Sequence, residues 1–195
     1  MKTPTHLKLV MASMLMMVFT IQITAQTYQL NNDVSTLKVE GTSNLHDWQI
    51  VAEKQQGKLI AEIVDGKVTK IQQLDFTVTA ESLKSGKSAM DKNTYKALNT
   101  GKHKQITFKL AKVNSIECTN PNSCKVSVTG NLTIAGVTKP IDMAFDMKIY
   151  GTKLLLVGSK TLKMTDFGVD PPKAMFGTIT TGDAIDIKFE SSFIQ

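Results

Sequence analysis

Apolar and polar residues alternate with a period of two over most of the chain. The alternation is clearest at 128–134 and again at 141–149, where aliphatic residues, methionine and phenylalanine occupy almost every second position. This pattern predicts strands with one apolar face and one polar face. Because Gly136 and Pro140 lie between the two stretches, we expect them to form an antiparallel hairpin.

The same alternation predicts further strands along the chain, at 34–42, 48–52, 59–63, 68–80, 106–110, 126–134, 154–164 and 185–193. The fold class is therefore all-β, with about eight antiparallel strands. A sheet of this size removes its edges either by closing into a barrel or by packing as a sandwich. Because several of the predicted strands are long, the closed barrel is favoured.

One segment, at about residues 88–100, departs from the strand pattern. Ser88 or Asp91 is a candidate N-cap and Gly101 is a candidate stop signal, so a short helix is predicted here. The side chains expected to face the body of the protein are Met90, Tyr95 and Leu98.

The N-terminal segment has the layout of a secretory signal peptide. Lys2 and Lys8 precede an apolar run at 9–23, and small residues at Thr24-Ala25 form a candidate cleavage site. The run is shorter than the ~20 residues needed to span a bilayer, although an uncleaved membrane anchor is the alternative. We expect residues 1–25 to be removed and the mature protein to be periplasmic or secreted.

The remaining chain, 26–195, has the length of one domain. The formal net charge of the whole sequence is +6, and every basic residue is lysine. Because arginine is the usual choice for bidentate recognition of phosphate and guanine, its absence argues against sequence-specific nucleic-acid binding.

The two cysteines, Cys118 and Cys124, flank a short loop. In an exported protein this spacing predicts one disulfide. A redox-active dithiol is the alternative, but no CxxC motif or helix start is present to lower a thiol pKa.

Signatures of catalysis are absent from the sequence. There is no GxSxG, HExxH, phosphate loop or GxGxxG motif. His46 and Asp47 are adjacent, and neighbours on a strand point to opposite faces, so they do not form a catalytic pair. His103 is the other histidine after position 25, and no spacing supports a metal site. We therefore expect no enzymatic activity, no metal and no cofactor.

The apolar face of the predicted barrel has two interpretations. A barrel of about eight strands is either filled by its own side chains or encloses one small ligand. The inward residues are mainly aliphatic, with phenylalanine, methionine and a single tryptophan, a composition that suits a flexible hydrocarbon. Core packing accounts for the same residues, so the pattern alone leaves both interpretations open.

Several motifs resemble the YceI-like family of secreted lipid-binding β-barrels. They are LTIAGVTKPI at 132–141, LKVEGTSNLH at 37–46, HKQITF at 103–108 and TDFGVD at 165–170. Gln105 stands where the family usually has proline. The resemblance extends over about residues 28–193 and implies a lipocalin-like barrel that holds a polyisoprenoid or related amphiphilic chain.

On this resemblance we expect an exported protein that binds an isoprenoid or another amphiphile in an apolar barrel cavity. The alternative is a filled barrel that acts as a structural, interaction or stress-response protein without lipid. The side chains expected to contact the ligand are Leu37, Val39, Trp48, Phe76, Val78, Phe108, Leu110, Leu132, Ile134, Met143, Phe145, Met147, Ile187 and Phe189.

Positive charge is concentrated in one segment, 82–109, which carries seven lysines and a single acidic residue. One interpretation is that the segment is simply a solvated helix with its loops. The functional hypothesis is that the segment caps the barrel mouth and turns lysines towards an anionic head group or membrane surface. The lysines proposed for this contact are Lys92, Lys96, Lys102 and Lys104. The sequence leaves the oligomeric state open, with a homodimer among the alternatives.

Overall fold

Twelve strands and one α-helix, with four 3-10 turns, make up residues 25–195, the part of the chain that the computed structural model describes. The predicted signal peptide lies almost entirely outside the described residues. The helix α1 spans Ser88–Leu98. The strands are β1 Gln26–Leu30, β2 Thr36–Ser43, β3 Trp48–Ala52, β4 Gln55–Val64, β5 Lys67–Thr79, β6 Leu83–Lys84, β7 Gln105–Asn120, β8 Ser123–Ile134, β9 Val137–Tyr150, β10 Lys153–Lys163, β11 Lys173–Ala174 and β12 Ile179–Ile194.

Eight of the strands form a closed antiparallel ring in the order β1–β4–β5–β7–β8–β9–β10–β12. The ring closes where β1 pairs with β12, through the two residue pairs Gln29 with Ile194 and Leu30 with Phe193. The predicted all-β fold, with an antiparallel ring of about eight strands and one helical excursion, is therefore confirmed. The closing seam is too short for a continuous, regular barrel.

The strand β12 closes the ring because it pairs with three other strands of the sheet. One of its edges pairs with β10 from Ala184 to Ile194. Its other edge is shared, because β2 pairs with it between Thr181 and Glu190 and β1 takes over near its end. Strands β3 and β6 continue outward from β2 and extend the wall beside the ring.

The two ends of the ring differ. At one end, which we call the closed end, the β4–β5, β7–β8 and β9–β10 turns meet. There the backbone N–H of Asn122 donates a 2.8 Å hydrogen bond to the carbonyl oxygen of Gly66. Side chains fill the interior at this end, and those that are almost fully buried include Tyr28, Leu59, Val126, Met147, Leu154 and Phe193. The closed half is thus an ordinary packed core.

The predicted disulfide is confirmed. Cys118 and Cys124 are bonded to each other and join the end of β7 to the start of β8 at the closed end. Cys124 is buried, and Cys118 is partly buried.

Helix α1 lies at the opposite, open end and confirms the predicted excursion, but its capping residues differ from those expected. Lys87 occupies the N-cap, so Ser88 is already helical, and Asn99 ends the helix in a left-handed conformation two residues before Gly101. The carboxylate of Asp91 instead accepts hydrogen bonds from the backbone N–H and the hydroxyl of Ser85, at 2.8 and 2.6 Å. These bonds lower the pKa of Asp91 and fix the loop that leads into the helix.

A single tyrosine anchors α1 to the sheet. The Tyr95 hydroxyl donates to the carbonyl oxygen of Glu81 at 2.8 Å and accepts from the Lys84 ammonium at 2.6 Å. The helix is therefore held against β6 with its apolar face turned towards the interior. Among the helices of residues 25–195, none is long and apolar enough to cross a bilayer.

Candidate functional site

A cavity of about 440 Å³ occupies the open half of the ring. It lies above the packed core of the closed end, between the inward faces of the strands and the inner face of α1. Small-molecule sites typically have volumes of about 300–1,000 Å³ and apolar linings. The interior is therefore divided into a filled half and an open half.

The cavity wall is built from alternate positions of the strands, as the period of two requires. Helix α1 contributes Met90, Ala97 and Leu98. The strand residues that line the wall include Leu37, Val39, Trp48, Ile50, Phe76, Val78, Ile106, Phe108, Leu132, Ile134, Ile141, Met143, Phe145, Leu156, Leu162, Ile185, Ile187 and Phe189.

Twelve of the residues expected to contact a ligand lie on this wall, and two do not. Met147 is fully buried in the closed half, where it pairs with Cys124 of β8. Leu110 packs on the same core, one step beyond Phe108 towards the closed end. Strand alternation identifies the face of a residue but not its height along the ring, which explains both differences. Ligand contact by the other twelve stays a prediction.

Two lining residues, Phe167 and Val169, lie outside the strands and are absent from the predicted set. They belong to the segment after β10, and both are buried. The only signal in the sequence was the TDFGVD motif. Asp183 of β12 holds this segment, because its carboxylate accepts hydrogen bonds from the backbone N–H and hydroxyl of Thr165, at 2.9 and 2.7 Å. These bonds lower the pKa of Asp183.

Several aromatic rings on the wall pack directly against inward-facing glycines. A Cβ atom added to Gly41 would lie 2.2 Å from the Trp48 ring, and one added to Gly130 would lie 2.1 Å from the ring of Phe108. At Gly158 the added atom would lie 2.6 Å from the ring of Phe189. Because the missing side chains let these rings lie against the backbone, the rings occupy less of the interior and the cavity stays open.

The charged side chains on the wall are cationic, and its other polar residues are Ser43, His46, Asn93, Thr94, Thr181 and Ser191. Lys87, Lys160, Lys163 and Lys173 line the cavity, and no Asp or Glu of the described chain does so. The lysines predicted to contact an anionic surface, on α1 and in the loop after it, are exposed but do not line the cavity; they are Lys92, Lys96, Lys102 and Lys104.

Neither histidine joins a catalytic or metal-binding cluster. His46 and Asp47 lie in the exposed loop between β2 and β3 rather than on a strand, and the His46 Nδ1 is 2.8 Å from the Asp47 carbonyl oxygen. His103 packs over the β8–β9 turn beside Gly136. Within residues 25–195, no group of three or more potential ligand side chains is placed to hold a metal ion.

The edge of the cavity carries large apolar side chains that are exposed to solvent. They are Leu45, Met175 and Phe176, with exposed fractions of 65%, 69% and 111%, and we call them the apolar rim. Met175 and Phe176, which lie in the β11–β12 turn, both have left-handed backbone conformations. Asn44 ties the two rim loops together: its side-chain amide donates to the Thr178 carbonyl oxygen at 2.8 Å.

Comparison with known structures supports the fold. A structure of BcnA from Burkholderia cenocepacia matches 84% of this chain and 98% of its own, with a TM-score of 0.65 and 17% sequence identity. A polyisoprenoid binding domain from Saccharophagus degradans, implicated in plant cell wall breakdown, matches 86% of this chain and 97% of its own, with a TM-score of 0.63 and 14% identity. A YCEI protein from Campylobacter jejuni covers 73% of this chain and 82% of its own, with a TM-score of 0.57 and 18% identity.

Sequence comparison assigns the family. A UPF0312 protein of Pseudomonas paraeruginosa is 29% identical over 113 residues, which amount to 54% of this chain and 56% of that protein. A UPF0312 protein of Pseudomonas aeruginosa matches with the same identity and coverage, so the alignments span about half the length of these relatives. The sequence profile of the YceI-like domain matches residues 22–193. The chain therefore belongs to the YceI-like domain family.

Proposed function

We propose that this protein binds an isoprenoid, or another amphiphile with a long apolar chain, inside the open half of the ring. The observation that carries the proposal is the apolar cavity of about 440 Å³, with its wall of aliphatic and aromatic side chains. Burial of hydrocarbon contributes roughly 0.8 kcal/mol per methylene, so a prenyl chain would supply most of the affinity. The solved neighbour described as a polyisoprenoid binding domain supports this ligand class.

We further propose that the protein acts outside the cytoplasm and as a binder rather than a catalyst. The N-terminal sequence pattern supports export, and a disulfide is typical of an oxidising compartment. The cavity wall carries no carboxylate or thiol of the described chain. The ring of His46, which also lines the cavity, lies 2.8 Å from the Asp47 carbonyl oxygen rather than beside a carboxylate, so the wall shows no paired acid and base.

The test is extraction of the purified protein with organic solvent, followed by mass spectrometry and by uptake of a fluorescent prenyl analogue. Met143→Trp, which places a large ring in the cavity, should weaken uptake by about tenfold or more. Ala144→Trp is the matched control, because Ala144 is the next residue on β9 and is exposed on the outer face. Recovery of no lipid, together with no uptake, would refute the proposal and favour a barrel that acts without lipid.

The open end is also proposed to dock transiently on an anionic membrane surface. Two observations favour this: the apolar rim is exposed, and the lysines at positions 92, 96, 102 and 104 are exposed on α1 and the loop after it. Each lysine near such a surface contributes about 1 kcal/mol, screened beyond a Debye length of ~8 Å at physiological salt. A homodimer through the same rim is the alternative occupant.

Co-sedimentation with anionic vesicles at rising salt tests the docking. Lysine-to-glutamine changes at the four positions, and separately Phe176→Ser, should each reduce vesicle binding. Val34→Ser is the control, because Val34 is 63% exposed but lies in the 3-10 turn between β1 and β2. Vesicle binding that ignores both salt and these changes contradicts the proposal, and sedimentation of the protein alone would reveal a dimer.

A further inference from the structure

One charged residue interrupts the inward-facing series of β10. Leu154, Leu156, Gly158, Lys160 and Leu162 occupy alternate positions of this strand, and the leucines are buried. Lys160 therefore lies on the inner face, opposite Ile187 of β12, and it lines the cavity. It is partly buried, whereas Lys153 at the start of the same strand is exposed.

The ammonium of Lys160 has no hydrogen-bond or ion-pair partner among residues 25–195, where the ion pairs are Lys70 with Glu62 and Lys188 with Glu40. The nearby acid on β12, Asp186, faces outward and accepts a hydrogen bond from Thr161. An amine on an apolar wall needs water or an anion to offset the loss of its hydration. The structure thus places an available positive charge on the surface that would contact a ligand.

The neighbouring strands separate at the height of Lys160. The ladder between β9 and β10 runs from the pair of Lys153 and Tyr150 to that of Gly158 and Phe145. Beyond Phe145, β9 continues its pairing with β8, and β10 continues with β12. The two strands therefore part towards the open end, and we call this opening the β9–β10 split.

The split is bordered by lining residues of both strands. Ile141 and Met143 lie on the β9 side, and Lys160 and Leu162 lie on the β10 side. The 3-10 turn after β10 leans over its upper end, where a Cβ atom added to Gly168 would lie 3.7 Å from Val137. Because Lys160 beside the split is only partly buried, a ligand with its tail in the cavity can place a polar head group there in contact with water.

We propose that Lys160 binds the anionic head group, a phosphate or carboxylate, of the amphiphile whose apolar tail fills the cavity. This inference rests on the proposed lipid-binding function and adds the chemical class of the ligand. A charge-assisted hydrogen bond from the ammonium discriminates an anionic ligand from a neutral one of equal chain length. The other lysines on the wall, Lys87, Lys163 and Lys173, raise the local positive potential.

The test compares farnesyl phosphate with farnesol, which share one prenyl chain, by titration calorimetry on the intact mature protein. The wild type should bind the phosphate more tightly, and Lys160→Gln should weaken phosphate binding by about tenfold or more while leaving farnesol unchanged. Lys153→Gln is the matched control on the same strand, and Lys160→Arg should retain the preference. Inorganic phosphate alone should compete weakly, which separates head-group binding by an amphiphile from capture of free phosphate.

The outcomes separate the two proposals. If the wild type binds both prenyl probes equally well, or if Lys160→Gln weakens both alike, the role of Lys160 is refuted and the lipid-binding function stands. If neither probe binds, the proposed function fails, and the role of Lys160 fails with it. Should Lys160→Gln not fold, the wild type decides alone: its preference for the phosphate must be present at low salt and fall as salt rises.

Discussion

Substitution of Gly41 by alanine tests whether the inward glycines keep the cavity open. Gly41 of β2 pairs with Trp48 of β3, and both face the interior. The added methyl carbon would lie 2.2 Å from Cζ2 of Trp48. Because carbon atoms pack at about 3.5–4.0 Å, the ring must move by roughly 1.3 Å or more, away from β2 and into the cavity.

The energetic cost has three parts. Overpacking costs about 1–3 kcal/mol. The 3.0 Å hydrogen bond from the Trp48 indole N–H to the Thr42 carbonyl oxygen is stretched or lost, at about 0.5–1.5 kcal/mol. Replacing a glycine within a strand stabilises the folded state by about 0.5–1 kcal/mol, which offsets part of this cost. We expect Gly41→Ala to lower the free energy of unfolding by about 1–3 kcal/mol and to weaken prenyl binding.

The assay uses the only tryptophan of the chain as its own reporter. Urea unfolding followed by Trp48 fluorescence gives the stability change, and the emission maximum of the folded variant should move to shorter wavelength as the ring enters the apolar cavity. Gly101→Ala is the control, because an added Cβ there meets no atom within 4 Å. In a Trp48→Val background, where unfolding is followed by circular dichroism because no tryptophan remains, Gly41→Ala should cost much less.

The reasoning is refuted if Gly41→Ala matches the Gly101→Ala control in stability, emission and ligand uptake. It is also refuted if the alanine costs as much without the Trp48 ring as with it, because the strain would then lie in the backbone.

Further predictions concern parts of the molecule away from the wall. Met147→Ala should cost about 2–5 kcal/mol of stability, since the side chain is fully buried, yet leave prenyl affinity unchanged at temperatures where the variant is folded; a loss of affinity would place Met147 in the site. Replacing Cys118 and Cys124 by serine should lower the free energy of unfolding in urea by about 2 kcal/mol, and added reductant should then have no further effect. Hydrogen bonds from Thr165 hold the pKa of Asp183 below its ordinary value of 3.8, so its stabilisation is full above that value and is lost as pH falls through the lower folded pKa. Asp183→Asn should therefore lower the thermal midpoint at neutral pH and matter less in acid; a difference that does not vary with pH would contradict this.

The strands and their inward faces were predictable because alternation is a local property of the sequence. Leu37 and Val39 show this, since both line the cavity, as their places in the alternation of apolar and polar residues indicate. Height along the ring is not local, because it depends on the register between strands that are distant in sequence. Met147 and Leu110 occupy the same alternate positions of their strands as residues that line the cavity, but they lie in the packed core rather than on the cavity wall.

Features that depend on which strands pair with each other also could not be predicted from the sequence. Gly41 and Gly158 look like gaps in an apolar series until their neighbours Trp48 and Phe189 are known. Lys160 lies within the predicted strand 154–164, but its position beside the β9–β10 split depends on how β10 pairs with β9 and β12. The role of these residues can be interpreted only once the strands that pair with theirs are known.

The sharing of β12 among its neighbours has a consequence for folding kinetics. This strand completes the pairing of β10, β2 and β1, so the ring has no closed intermediate that lacks it. Its contacts with β1 and β2 join residues far apart in sequence, and contacts of this kind slow folding. Until β12 docks, three strands present unpaired edges at once, which is the condition under which chains add to one another. Docking of β12 therefore covers three strand edges at once and protects the chain against edge-to-edge association.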